Sequence, residues 1–90
     1  MAKTKMRMYY VYVLQSLKDG KQYIGFSRNL KRRMQEHKSG GSESTKKRLP
    51  FRLVFYEAFV CESDTRRREH YFKTTKGKKT LKMMLRESVK

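Results

Sequence analysis

Acidic residues are scarce in this chain. Eight Asp and Glu stand against 24 Lys and Arg in 90 residues, giving a formal net charge of +16. A small domain carries such an excess against its own self-repulsion, and the usual reason is a polyanionic partner. Nucleic acid is the first candidate, an anionic membrane surface the second, and charge for solubility alone the third. Cysteine is nearly absent too. The lone Cys61 excludes an internal disulfide and points to a reducing, cytoplasmic setting. No run approaches the ~18 apolar residues of a membrane span. The apolar stretch Met8–Leu14 is short, tyrosine-rich and followed by no small-residue cleavage site, which argues against a signal peptide. No internal repeat is visible. His37, His70 and Cys61 show no zinc-ligand spacing. Gly77-Lys78 lacks both the upstream glycine and the following Ser or Thr of a phosphate-binding loop.

What is present is enough apolar and aromatic matter for one folded domain. Hydrophobic residues make up 37%, with six Tyr and five Phe, too many for a disordered basic tail. The spacing predicts a basic arm over residues 1–7 and a single domain over 8–90. Met8–Leu14 is β-branched and aromatic, a strand covered on both faces. Asp19-Gly20 signals a turn and Lys21–Phe26 the returning strand. With a two-residue loop, Tyr23 faces Ser16 and Tyr12 faces Ser27. A loop centred one residue earlier brings the two tyrosines closer without changing their face. Ser27 or Asn29 caps a first helix reaching about Lys38. A polar loop covers 39–50, and Arg52–Phe59 forms a third strand. A second helix, capped by Ser63 or Asp64, runs to about Thr74. A third spans roughly Lys79 to Val89, with Leu81, Met84, Leu85 and Ser88 on one side. The order β-β-α-β-α-α implies an α+β domain in which helices flank a three-stranded antiparallel sheet.

Val11–Leu17 has the look of one signature of an RNA-recognition motif, but a turn and a second strand follow where that fold needs a helix, and Arg52–Phe59 contains no glycine. Other residues converge better. Tyr12 and Tyr23 project from one face of the hairpin. Arg33 and His37 stand four apart on one side of the first helix. Glu69 follows Arg66-Arg67-Arg68, amid positive charge that favours its ionised form, with Lys73 at i+4 as an ordinary salt-bridge partner.

In order and spacing, Tyr10-Val11-Tyr12, ten residues, Tyr23-Ile24-Gly25, then Arg33, His37 and Glu69 in Glu-x-x-Phe-Lys resemble the GIY-YIG nuclease superfamily. The likeness is to its small stand-alone members, related to the N-terminal nuclease domain of the UvrC repair protein. It covers roughly Met8 to Thr80. The resemblance implies metal-dependent hydrolysis of a DNA phosphodiester, in repair or processing. Tyr12, Tyr23, Arg33, His37 and Glu69 would be the catalytic set, and Gly25 the closing glycine of the second half-motif. Glu69 would hold one Mg²⁺ or Mn²⁺ ion. Tyr12, its pKa lowered by nearby cations, would be the first candidate for general base, with Tyr23 and His37 as the alternatives. Tyr23 would otherwise orient the water, and His37 assist Tyr12 or bind phosphate. The chain departs from the pattern twice: the first half-motif lacks its opening glycine, and no asparagine occurs in Thr74–Thr80. Lys46, Lys47, Arg48, Arg52, Lys76, Lys78, Lys79 and Lys82 are the candidates for contacts to the backbone of duplex or single-stranded DNA. No base-reading element is evident, so low sequence specificity is expected. A non-catalytic module binding DNA or RNA is the alternative. A membrane role is not expected, because the cations are spread over several elements. A monomer is the default state.

Overall fold

A computed structural model describes residues 7–43 and 45–89. Apart from Arg7, the expected arm lies outside the described residues. The strands are β1 (Tyr9–Ser16), β2 (Gln22–Ser27) and β3 (Phe51–Phe59), in the antiparallel order β2-β1-β3. The central place goes to the most apolar strand: Val11, Tyr12, Val13 and Leu14 are all buried, as a strand covered on both faces must be.

The hairpin register differs from the two-residue-loop expectation. Tyr12 pairs with Gly25 and Leu14 with Tyr23, the arrangement of a loop centred one residue earlier. Side-chain hydrogen bonds favour this wider turn. The Ser16 hydroxyl accepts from the backbone N–H of Lys18 (3.1 Å) and Asp19 (3.3 Å), and the Asp19 carboxylate accepts from Lys21 N–H at 2.9 Å. Gly20 completes the turn at φ 73°, where any side chain would add strain.

The alternation of side chains divides the sheet into two faces. Val11 and Val13 point to one, where they form the core with Phe72, Leu81 and Leu85. Each such side chain contributes about 1.5–3 kcal/mol on burial. This face is covered by α2 (Glu62–Lys73) and α3 (Thr75–Met84). Tyr10, Tyr12 and Leu14 point to the other face, where α1 (Leu30–Lys38) and the loop with its 3₁₀ turn at Lys46–Arg48 lie. Among the described residues no helix is long and apolar enough to cross a membrane.

The helix ends select one of the two caps expected for α1 and correct the bounds or caps expected for α2 and α3. Of the two candidates for the α1 cap, Asn29 is the cap, its side chain accepting from Arg32 N–H at 3.1 Å, while the Ser27 hydroxyl accepts from Asn29 N–H. Helix α2 is capped at neither Ser63 nor Asp64. It begins after Cys61, whose carbonyl takes both the N–H and the hydroxyl of Thr65. Cys61 itself is exposed.

Helix α3 starts at Thr75, not Lys79, because Thr74 caps it. The Thr74 hydroxyl accepts from Gly77 N–H at 3.0 Å and donates to the Tyr71 carbonyl at 2.6 Å. A Cβ at position 77 would collide with that carbonyl, so Gly77 serves the close approach of α2 and α3. The helix ends at Met84, which is 43% exposed and does not face the core. Turns carry the chain on to Val89, which packs against the core, and Ser88 is exposed.

Candidate active site

The site is built around Tyr12 at the middle of the central strand. Its phenol lies across Gly25 on β2, in the space a side chain at 25 would fill. Tyr23, diagonal to it on the same face, sits with its ring centroid 6.2 Å away. Capping at Asn29 sets the helical phase of α1 and turns Arg33 and His37, one turn apart, toward these rings. His37 stands edge-on to both tyrosines, at 5.7 and 5.4 Å between centroids.

Hydrogen bonds join the group into a chain. Arg33 Nε donates to the Tyr12 hydroxyl at 3.3 Å, that hydroxyl lies 2.8 Å from His37 Nε2, and His37 Nδ1 lies 2.7 Å from the Thr45 hydroxyl. Tyr12 and Thr45 are fully buried and His37 is 2% exposed. Because Tyr12 already accepts from Arg33, its own proton is free to go to Nε2. A neutral imidazole then carries its proton on Nδ1 and donates it to Thr45. This assignment of polarity gives each ring nitrogen and the Tyr12 hydroxyl a complementary partner.

Burial governs the electrostatics. It pushes the Tyr12 phenol up to about 12, against the lowering effect of the Arg33 hydrogen bond. The expectation that neighbouring cations lower this pKa is therefore overturned: desolvation outweighs the one guanidinium in contact. Burial, then the Arg33 charge, pushes His37 below the usual imidazole range and keeps it neutral near pH 7. Arg33 is held firmly charged, first by Glu36, which it contacts at 2.9 Å, and also through the Tyr12 and Tyr23 hydroxyls.

Glu69 reaches the same group from α2. Its charge is among the influences that raise the Tyr12 pKa. The carboxylate is 18% exposed and pairs with Lys73 at 3.0 Å. The preceding arginines do not surround it as the sequence suggests. Arg66 pairs with Glu62 and lies 4.0 Å from the centroid of the Phe26 ring, Arg67 pairs with Asp64, and Arg68 forks onto Glu57 at 2.8 and 3.2 Å. Among the described residues no three His, Cys, Asp or Glu side chains gather as a metal cage. A single carboxylate suits a hard cation that keeps most of its water, not a tightly caged metal.

The basic candidates fall on two sides. Lys46 and Lys47 follow Thr45 in the loop on the Tyr12 side and are exposed, Lys46 pairing with Glu43 at 3.0 Å. Arg48 stands 3.7 Å from Asp19. Lys76, Lys78, Lys79 and Lys82 are exposed on α3, on the opposite layer. Arg52 is engaged with the Gln15 side chain and the Ser88 carbonyl, tying the C-terminal turns to β1.

Two site residues escape sequence reading. Thr45 sits in a Ser/Thr-rich loop where nothing marks one hydroxyl over another. Glu36 does carry a signal, as one of the few acids placed three positions after Arg33 on a helix.

Comparison with known proteins agrees with this architecture. The chain is 35% identical over 80 residues to a UPF0213 protein of Staphylococcus saprophyticus, covering 88% of this chain and 96% of that one. It is 34% identical over 84 residues to a UPF0213 protein of Clostridium perfringens, covering 92% and 89%. The solution NMR structure of a UPF0213 protein from Bacillus halodurans shares its fold with a TM-score of 0.54 at 36% identity, covering 86% of this chain and 84% of that one. Residues 8–82 match the GIY-YIG catalytic domain family, and the chain belongs to that family.

Proposed function

We propose that this protein is a divalent-metal-dependent DNA endonuclease that hydrolyses phosphodiester bonds with low sequence specificity. The observation that carries this reading is the hydrogen-bonded chain Arg33–Tyr12–His37–Thr45, whose phenol also feels the Glu69 charge.

Phosphodiester hydrolysis needs a deprotonated water, stabilisation of negative charge at phosphorus and support for the leaving oxygen. Arg33 covers the outer side of the Tyr12 hydroxyl. When its guanidinium turns to a phosphate oxygen, as a planar charged donor suits, that hydroxyl is free to accept a proton from the attacking water. Tyr12 passes its own proton to His37 Nε2 as it does so. The phenol never has to ionise, so a pKa near 12 is no obstacle. His37 is the final acceptor and Thr45 holds it in the accepting tautomer. Tyr23, half-buried beside both rings, orients the water. Glu69 would hold the Mg²⁺ or Mn²⁺ ion, which when bound supplies Lewis-acid polarisation of the phosphate and neutralises charge at the leaving oxygen.

The test is nicking of plasmid and single-stranded DNA with Mg²⁺ or Mn²⁺, comparing wild type with Glu69→Ala. Wild type should cut and the variant should bind without cutting. If neither protein cuts while both bind, the chain is a nucleic-acid-binding module and the nuclease reading fails.

A further inference from the structure

Tyr12 has a neighbour on its other side. Tyr56 of β3 is directly opposite it in the register, hence on the same face of the sheet, and is 53% exposed. Tyr10 lies two residues along β1 on that face, with its ring centroid 6.2 Å from that of Tyr56 and the planes tilted by 59°. Helix α1 crosses above with two adjacent sides engaged: Arg33 and His37 face the Tyr12 group, while Leu30 and Met34 face the Tyr10–Tyr56 pair. The result is an open groove of about 890 Å³, floored by sheet and walled by helix, that starts where the Tyr12 group ends. Arg28, ion-paired with Glu62 at 2.7 Å, and Lys31 stand along it, and none of the described residues lining it is acidic.

We propose that this groove holds unpaired nucleobases of a single-stranded segment of the substrate, stacked on Tyr10 and Tyr56, with Arg28 and Lys31 on the adjoining phosphates. Exposed aromatic faces beside cations are the means by which proteins hold single strands, because every base offers a π-face and every linkage a charge. A duplex keeps its base faces stacked on one another and has none to offer to the tyrosines. The wall residues Leu30 and Met34 add apolar contact suited to a base and not to a phosphate. The proposal rests on the nucleic-acid reading above but not on cleavage.

The experiment measures binding of the full chain in EDTA, where nothing is cut. A fluorescein-labelled oligothymidylate is compared with an abasic phosphodiester oligomer of equal length and charge, at fixed salt. Wild type should bind the thymidylate at least about fivefold more tightly, the lower end of what one stacked base contributes. Tyr56→Ala, at an exposed position, should abolish that preference, and Tyr56→Phe should keep it. Lys31→Ala should weaken both oligomers alike. Equal binding of the two oligomers by wild type, or an undiminished preference in Tyr56→Ala, overturns the proposal. So does a wild type that dimerises while Tyr56→Ala stays monomeric, since a second copy then occupies the groove. Because the readout is binding, the groove can fail while cleavage stands, and cleavage can fail while the groove stands.

Discussion

The phenol of Tyr12 occupies the place that a side chain at Gly25 would take. The closing glycine of the second half-motif is thus a steric requirement of the tyrosine in the first. Gly25→Ala must displace the phenol from Arg33 and His37 or push β2 outward. Overpacking of this kind costs about 1–3 kcal/mol, and misplacement by about 1 Å lowers a reaction rate about 100-fold. Thermal melting and plasmid nicking together check this. A variant as active as wild type would show that the Tyr12–Gly25 contact does not position the phenol.

Removing the Tyr12 hydroxyl tests the proton path. Tyr12→Phe should lower cleavage at least about 100-fold, as expected for a lost general-base step. It should also destabilise the fold by about 1–3 kcal/mol, because a buried ring nitrogen of His37 loses its partner. Urea denaturation and single-turnover nicking separate the two effects. Full cleavage by Tyr12→Phe would remove the phenol from the mechanism.

Thr45 acts only through His37. Thr45→Val keeps the shape but leaves Nδ1–H without an acceptor, so the ring is no longer held in the tautomer that accepts from Tyr12. Cleavage should fall about 10-fold or more and the pH profile of the reaction should change, while Thr45→Ser restores both. A uniform loss of activity with an unchanged profile in Thr45→Val would reduce Thr45 to packing.

His37 also couples stability to pH. Its folded-state pKa lies below the ordinary value of about 6.5, because burial and Arg33 oppose its charge. Below about pH 6.5 the unfolded chain takes up a proton that folded His37 refuses, so this contribution to stability is full above that pH and is lost as pH falls toward the folded-state pKa. Melting temperatures between pH 7.5 and 5 should decline more steeply for wild type than for His37→Gln. Parallel curves would mean that His37 titrates alike in both states.

Salt dependence addresses the two basic surfaces. If about six duplex phosphates are neutralised, the log–log slope of affinity against salt should be about −5. Replacing Lys46 and Lys47, on the Tyr12 side, should flatten that slope more than replacing Lys76 and Lys78 on α3. The reverse ranking would put the strand on the opposite layer.

Much of this protein is determined by local sequence. The order of elements, the antiparallel hairpin and the shared face of Tyr12 and Tyr23 follow from β-branched runs, turn residues and the two-residue period of a strand, all of which act between near neighbours. The pairing of Arg33 with His37 follows likewise from the helical repeat. The net charge is fixed by composition alone.

Tertiary structure decided the rest. Side-chain hydrogen bonds from Ser16 and Asp19 widened the hairpin loop and set Tyr12 against Gly25. The Thr74 cap set the start of α3 at Thr75, and Gly77 allowed α2 and α3 to approach closely there. The arginines before Glu69 found carboxylates at other positions, Arg68 on a different element, and left it to Lys73. Above all, burial reversed the expected direction of the Tyr12 pKa. Nearby cations are visible in a sequence, but the loss of water around a phenol is not. It comes from residues distant in the chain, Gly25, Arg33 and His37 among them, closing around one phenol.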